Sequence, residues 1–259
     1  MQEKKTKIIC TISDLNCETG FISALYENGM NVVRINSAHA TIEGAQKIVD
    51  NVRKVSDNIA ILIDTKGPEV RLTKMDAPDG ISISTGDTVY IHNDINGISS
   101  KDGLYTNCAT FIDDVPVGAR ILIDDGSVEL AVQSKNKEML ECIVRNSGII
   151  KGKKSVNVPN THLSLPPLTE KDKIFIDWAI KADIDFIAHS FVRKKEDLME
   201  IQKILDDSGS HIKLISKIEN QQGVDNLEEI LHHCYGVMIA RGDLGVEIPA
   251  EKIPMIQKK

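Results

Sequence analysis

Residues 59–71 read Ile59-Ala60-Ile61-Leu62-Ile63-Asp64-Thr65-Lys66-Gly67-Pro68-Glu69-Val70-Arg71. The first five are continuously apolar and Asp64 closes the run, the pattern of a parallel strand covered on both faces. The Gly67-Pro68 step then breaks the strand and redirects the chain. Strands and helices alternate before this junction, whereas afterwards the apolar period drops to two. The junction therefore separates an α/β segment from a β-rich one.

On the N-terminal side, residues 7–12 (KIICTI) and 31–36 (NVVRIN) read as strands rich in β-branched residues. Between them Phe21, Ile22, Leu25 and Tyr26 share a helical face, and Gly29 stands at the C-terminal cap position. Ile42, Ala45, Ile48, Val49 and Val52 form the next helical stripe. On the C-terminal side, residues 71–161 alternate with period two. Strands are predicted at 81–84, 88–92 and 120–123, with a hairpin turn at Asp125-Gly126. The α/β rhythm returns at Thr169, an N-cap with Asp172 three residues on. Ile174, Phe175, Trp178 and Ala182 mark that helix's apolar face. A strand at 185–189, a helix through Leu198, Ile201 and Leu205 ending near Gly209, and a strand at 211–217 follow. Val224, Leu227, Ile230 and Leu231 mark a further helix, and residues 236–240 a sixth strand.

The chain has 259 residues, 41% hydrophobic and 27% charged, with a formal net charge of -7. This is the balance of a globular protein with a core, and it gives no electrostatic reason for a nucleic-acid or anionic membrane partner. No apolar run approaches the roughly 18 residues of a membrane span. Residues 1–5 (MQEKK) make a charged start, but no apolar stretch of signal length follows, so no secretory signal is expected. Five dispersed cysteines without a CxxC pair suggest reduced thiols and a cytoplasmic location.

Six βα-type strands fit an open doubly wound sheet or a (β/α)8 barrel. Polar residues at the C-terminal ends of five strands favour the barrel: Asn36, Asp64, Ser190, Lys217 with Glu219, and Asp243. A barrel gathers all such ends around one mouth.

Residues 215–220 (ISKIEN) put Lys217 and Glu219 two apart, on one face of an extended strand end. They read as a structural ion pair, or as a metal-binding carboxylate beside an ammonium that stabilises developing negative charge. Residues 238–245 (MIARGDLG) read as an aspartate cap with glycine turns, or as backbone close to an anion with Asp243 a second metal ligand. Residues 64–71 are a hinge with solvated charges, or they supply cation ligands at Asp64 and Thr65 and a phosphate contact at Arg71. Arg34 caps the sheet or binds phosphate with its fork.

DTKGPEVR (64–71), ISKIEN (215–220) and MIARGDLGVEIP (238–249), in this order around a β-rich insertion, resemble the pyruvate kinase family. NGMNVVRIN (28–36) and KGKKSVNVP (151–159) extend the resemblance over almost the whole chain. It implies a (β/α)8 A domain, six of eight strands present, interrupted after the third strand by an all-β B domain that covers the nucleotide. The domains would be 1–69, 70–164 and 165–259. It implies phosphoryl transfer from phosphoenolpyruvate to ADP, giving pyruvate and ATP, with Mg²⁺ or Mn²⁺ and a K⁺ ion as cofactors. Lys217 would stabilise the transition state, and Glu219 and Asp243 would bind magnesium. Arg34 would contact the substrate phosphate, and the backbone of Ala240, Arg241, Gly242 and Asp243 the substrate carboxylate. Arg71, Lys154 and His39 would contact the nucleotide; Asn36, Asp64 and Thr65 would bind the monovalent cation. The whole protein would be a homotetramer.

The sequence departs from the family at Asn36-Ser37-Ala38-His39-Ala40, where the usual pattern is N-F-S-H-G. Ala38 removes a hydroxyl ligand of the monovalent cation, while Glu69, typical of potassium-dependent members, is retained. Thr11-Ile12-Ser13-Asp14 stands for T-I-G-P. The resemblance also expects two more barrel strands and a C-terminal effector domain beyond Lys259, so the 259 residues alone are expected to be a poor catalyst. The other readings are a non-catalytic fragment that binds phosphoenolpyruvate or metal, and a lyase of the phosphoenolpyruvate/pyruvate barrel group.

Overall fold

A computed structural model describes residues 5–259; residues 1–4 of the charged N-terminal start lie outside the described residues. The elements run β1 (Ile8–Thr11), α1 (Thr19–Glu27), β2 (Met30–Asn36), α2 (Ile42–Val55) and β3 (Ala60–Asp64). Then follow β4 (Ile81–Ile83), β5 (Thr88–His92), β6 (Leu104–Tyr105), α3 (Phe111–Asp114), β7 (Arg120–Ile123), β8 (Val128–Lys135), β9 (Met139–Val144), β10 (Gly148–Ile150) and β11 (Val156–Asn157). The last part holds α4 (Glu170–Lys181), β12 (Phe186–His189), α5 (Lys195–Asp207), β13 (Lys213–Ile218), α6 (Gln221–Asp225), α7 (Leu227–Leu231), β14 (Gly236–Ile239), α8 (Arg241–Glu247) and α9 (Ile253–Lys258). The fold is α/β. No helix among the described residues is long and apolar enough to cross a membrane.

The chain divides into two compact units. The first comprises the chain up to Pro68, Pro167–Ile218 and Asn226–Ile239; the second comprises Glu69–Pro166, Glu219–Asp225 and Ala240–Lys259.

The first unit holds one sheet in the order β1-β2-β3-β12-β13-β14, and every pairing is parallel. Crossover helices make such a sheet possible, and their apolar faces cover it. Alternation along the strands sends Val33, Ile35, Ile61, Ile63, Ile187 and Leu214 into a core with Ile22, Ile48, Val52, Phe175, Ile176, Ile201 and Leu205 from the helices. The intervening residues face the other side of the sheet.

Local signals explain the helix ends. Gly29 adopts φ +97° after α1, a conformation that costs glycine nothing. Thr169 caps α4 by accepting the Asp172 N–H, and Asp172 accepts from Thr169 in return. The buried Asp172 carboxylate also accepts from Lys66 N–H at 2.8 Å, so the cap holds the turn that follows β3.

Two expectations need correction. Ile174 is 59% exposed, while Ile176 and Ala179 are buried beside Phe175. The buried face of α4 comprises 172, 175, 176, 178 and 179, and Ile174 falls about 40° beyond its Trp178 edge. The single helix expected from Val224 to Leu231 is two short ones, α6 and α7, broken at Asn226. The Asn226 side chain donates to Arg193 O, and Leu231 is 46% exposed.

The second unit contains a sheet in the order β11-β7-β8-β9-β5-β6, antiparallel except at β5–β6, and a separate β4–β10 pair. Its core gathers Phe111, Ile121, Leu130, Leu140 and Val144. The β7–β8 hairpin turns through Asp124 and Asp125 (φ +54°) and Gly126 (φ +88°). Lys135 Nζ donates to the carbonyls of Ile112, Asp113 and Val115, neutralising the negative end of α3.

Candidate active site

Parallel pairing places the C-terminal ends of β2, β3, β12 and β13 side by side. Asn36 and Asp64 end their strands in mutual register. Ser190 follows β12, and Lys217 is the penultimate residue of β13. Residues as much as 183 positions apart (34 to 217) thus meet at one rim.

The centre of this rim is the Asp64 carboxylate, 1% exposed. Its Oδ2 accepts from Arg34 Nε at 2.7 Å and forms an ion pair with Arg34 Nη2. Its Oδ1 forms an ion pair with Lys217 Nζ at 3.0 Å and accepts from Ser190 Oγ at 3.1 Å. Lys217 Nζ also donates to Ser190 Oγ at 2.8 Å. Arg34 Nη1 donates to Thr11 Oγ1, which anchors the guanidinium to β1. Two cations are therefore held by one buried anion, with Lys217 8% exposed. Such a cluster is stable only because each charge is paired and hydrogen-bonded.

Thr65 continues β3 by donating its N–H to Ala188 O. Its carbonyl accepts from Ser190 Oγ at 2.6 Å, and its hydroxyl accepts from Ser190 N–H at 2.9 Å. The Lys66–Gly67 turn lies directly on this pair. Gly67 has φ +69°, and a Cβ there would come within 2.7 Å of Ser190 Cβ. Phe191, next to Ser190, adopts φ +56°. A bulky residue in that region is strained, and strain of this kind concentrates at functional sites.

The loop after β2 is also held. Asn36 Oδ1 accepts from Ala38 N–H, and Lys171 Nζ donates to Ala38 O. Burial and the nearby Lys66 charge lower the Lys171 pKa. Ser37 is fully buried, its N–H donates to Asp64 O, and its Oγ has no hydrogen-bond partner among the described residues. His39 is exposed.

The first unit thus brings together Arg34, Asn36, Asp64, Thr65 and Lys217. The Asp64 oxygens take Arg34, Lys217 and Ser190, Thr65 O takes Ser190, and Asn36 Oδ1 takes Ala38.

The second unit brings Arg71 beside Lys154. Arg71 pairs with Ser155, its Nε donates to Glu69 and its Nη1 to Lys153 O. Lys154 O accepts from Leu72 N–H, and its Nζ forms an ion pair with Asp124 at 3.0 Å. Glu219 is 2% exposed. Ala240 is the N-cap of α8, and Arg241, Gly242 and Asp243 form its exposed first turn. A Cβ on Gly242 would meet nothing within 4 Å. The aspartate is therefore not the cap of this helix. Its charge still suits the positive N-terminal end.

Sequence reasoning did not assign a role to Ser190 or His189. A serine one residue beyond a strand carries a weak signal, and a lone histidine inside an apolar strand carries almost none. Only the neighbouring strands show what each touches.

The family description "Pyruvate kinase, barrel domain" matches residues 3–259. The pyruvate kinase of Borreliella burgdorferi is 50% identical over 260 residues, covering 100% of this chain and 54% of that protein. The pyruvate kinase of Staphylococcus aureus is 45% identical over 264 residues, covering 98% of this chain and 44% of that protein. The chain spans about half the length of the curated relatives it matches. A parallel-stranded α/β unit with its cationic cluster at the C-terminal rim, and a family match along nearly every residue, lead to one conclusion: the chain belongs to the pyruvate kinase family.

Proposed function

We propose that the whole protein transfers a phosphoryl group from phosphoenolpyruvate to ADP. The bond between phosphorus and the enol oxygen breaks, a β-phosphate oxygen of ADP takes the phosphoryl group, and the enol oxygen keeps the electron pair until carbon is protonated. The observation that carries this reading is the Lys217 ammonium, buried at the strand ends and held by Asp64 and Ser190. Phosphoryl transfer needs little covalent help; it needs positioning and charges fixed in advance. Lys217 stabilises the leaving oxygen as charge develops, and Arg34, clamped to Asp64, presents its remaining donors to the phosphate. Arg71, Lys154 and His39 contact the nucleotide, and the backbone of Ala240 to Asp243 contacts the substrate carboxylate.

Mg²⁺ takes one or two carboxylates and leaves other positions to water and substrate. Glu219 and Asp243 are such a donor set, and no cluster of three or more histidine, cysteine or acidic side chains among the described residues offers a fuller one. When bound, the ion would supply neutralisation of the transferring phosphoryl group. The domain plan of this reading is a (β/α)8 A domain, six of whose strands are β1, β2, β3, β12, β13 and β14, with a B domain at 70–164 that covers the nucleotide. It places the whole protein in the cytoplasm as a homotetramer.

The test is Lys217→Met in the full-length natural protein, assayed by pyruvate release. The kcat is expected to fall about 100- to 1000-fold, the cost of losing one preorganised donor, while phosphoenolpyruvate binding stays measurable by calorimetry. A variant with near-normal kcat would remove Lys217 from the mechanism.

A further inference from the structure

We propose that His189 is a positioning residue: through the Thr65 hydroxyl it fixes Ser190, and through Ser190 it fixes the Lys217 ammonium. The part of this inference that concerns turnover rests on the activity proposed above; the part that concerns geometry does not.

His189 ends β12 and is 1% exposed. Alternation puts it on the helix-facing side of the sheet, while Ser190 turns to the side of Asp64 and Lys217. Its Nδ1 lies 3.3 Å from Thr65 Oγ1. The same Thr65 oxygen accepts from Ser190 N–H at 2.9 Å, and the Ser190 hydroxyl joins Thr65 O, Asp64 Oδ1 and Lys217 Nζ. The path from imidazole to ammonium is therefore three consecutive hydrogen-bonded contacts, each 3.3 Å or shorter.

The imidazole is buried beside Thr65, with one ring nitrogen in contact and the other not. Nε2 has no hydrogen-bond partner among the described residues. A buried polar atom without a partner is costly, roughly 1–3 kcal/mol, so an apolar residue of similar volume would suit the core better if packing were the only role. Among the described residues, the hydrogen-bonding contact of this ring, at Nδ1, falls on the residue that holds Ser190. A neutral imidazole makes that contact in either tautomer, because the hydroxyl can donate or accept. It thereby removes the rotational freedom that would let Thr65 turn away from the Ser190 amide.

The experiment uses the full-length natural protein and four variants: His189→Leu, His189→Asn, Thr65→Val and the His189→Leu/Thr65→Val double. Asparagine places a polar atom near the Nδ1 position; leucine fills the space without one. Two readouts are taken, kcat and KM for phosphoenolpyruvate, and the hydrogen-exchange rate of the Ser190 amide. His189→Leu is expected to lower kcat about 10-fold, the equivalent of one hydrogen bond, with KM little changed, and to speed Ser190 exchange. His189→Asn is expected to restore most of both. In the Thr65→Val background, His189→Leu is expected to add little, because the shared partner is already gone. Should the leucine variant not fold, His189→Gln replaces it, since it moves the polar atom to the Nε2 side; loss with glutamine and recovery with asparagine carry the same meaning. Unchanged Ser190 exchange in a folded leucine or glutamine variant, an asparagine variant as impaired as the leucine one, or losses that multiply in the double variant would each overturn the proposal. A parent without turnover whose Ser190 amide still responds to His189→Leu would overturn the proposed activity and leave the positioning role standing.

Discussion

Lys217 Nζ and Asp64 Oδ1 lie 3.0 Å apart, with their side chains 10% and 2% exposed. They come from β13 and β3, which are not paired with each other; β12 runs between them. The ion pair therefore spans a strand, and Ser190 at the end of that strand bonds to both partners.

The first expectation concerns the loss of this anion. Asp64→Ala would leave Arg34 and Lys217 near each other with their shared counter-charge removed. Breaking a buried pair from one side costs about 3–5 kcal/mol. Urea unfolding of the full-length protein should show a loss of that size. A loss below about 1 kcal/mol, the range of a surface pair, would mean that the cluster is hydrated and not a buried pair.

A second expectation separates two glycines with similar backbone. Gly67→Ala meets both a positive φ and Ser190 Cβ at 2.7 Å, whereas Gly86, with φ +93°, has open space around it. Gly86→Ala should cost only the left-handed penalty, about 1–2 kcal/mol. Gly67→Ala should cost more and should also lower kcat, since the clash moves Ser190. Equal Tm shifts for the two variants would show that the turn after β3 relaxes freely.

Potassium provides a third test. Because Ala38 brings no hydroxyl where the family pattern has serine, the full-length protein is expected to need more potassium for half-maximal kcat than its Ala38→Ser variant. Rates of the two are compared across a potassium series. An identical response of both would show that a hydroxyl at position 38 is not a ligand of the ion.

Cys142 gives a pH dependence. It is fully buried on β9, and burial, with Glu141 nearby, pushes its thiol from 9.0 up to about 12. The folded state therefore keeps a proton that the unfolded state releases above pH 9. This contribution to stability is complete below pH 9 and is lost as pH rises toward 12, at about 1.4 kcal/mol per pH unit. Cys142→Val should flatten the alkaline fall in stability. In the parent, Cys142 should resist iodoacetamide at pH 8 until denaturant is added; rapid labelling of the native protein would mean that β9 opens locally.

The alternating α/β rhythm and the change of period at Gly67-Pro68 were legible in the sequence, because strand and helix periods depend on local spacing. The ends of β5 and β7 and the Thr169 cap were legible for the same reason. Ile174 was not, since it lies only about 40° from the buried Trp178 on the helix, and which residue at the edge of a stripe is covered depends on the partner surface. Nor was the break at Asn226, whose side chain is satisfied by Arg193, 33 residues away.

Within the candidate site, Lys217, Asp64, Arg34, Asn36 and Thr65 could be named from residue type and motif, because polar residues at the ends of apolar strands stand out against their neighbours. What only the tertiary structure decided is who holds whom. Parallel register set β2, β3, β12 and β13 side by side, so one aspartate serves two cations, and Ser190 links Thr65 to Lys217. The same register put His189 behind Thr65. A sequence encodes each strand's pattern by nearest neighbours, but hydrogen bonds and ion pairs between strand ends join residues separated by as many as 153 positions, Asp64 and Lys217, and only the folded sheet brings those distances below 4 Å.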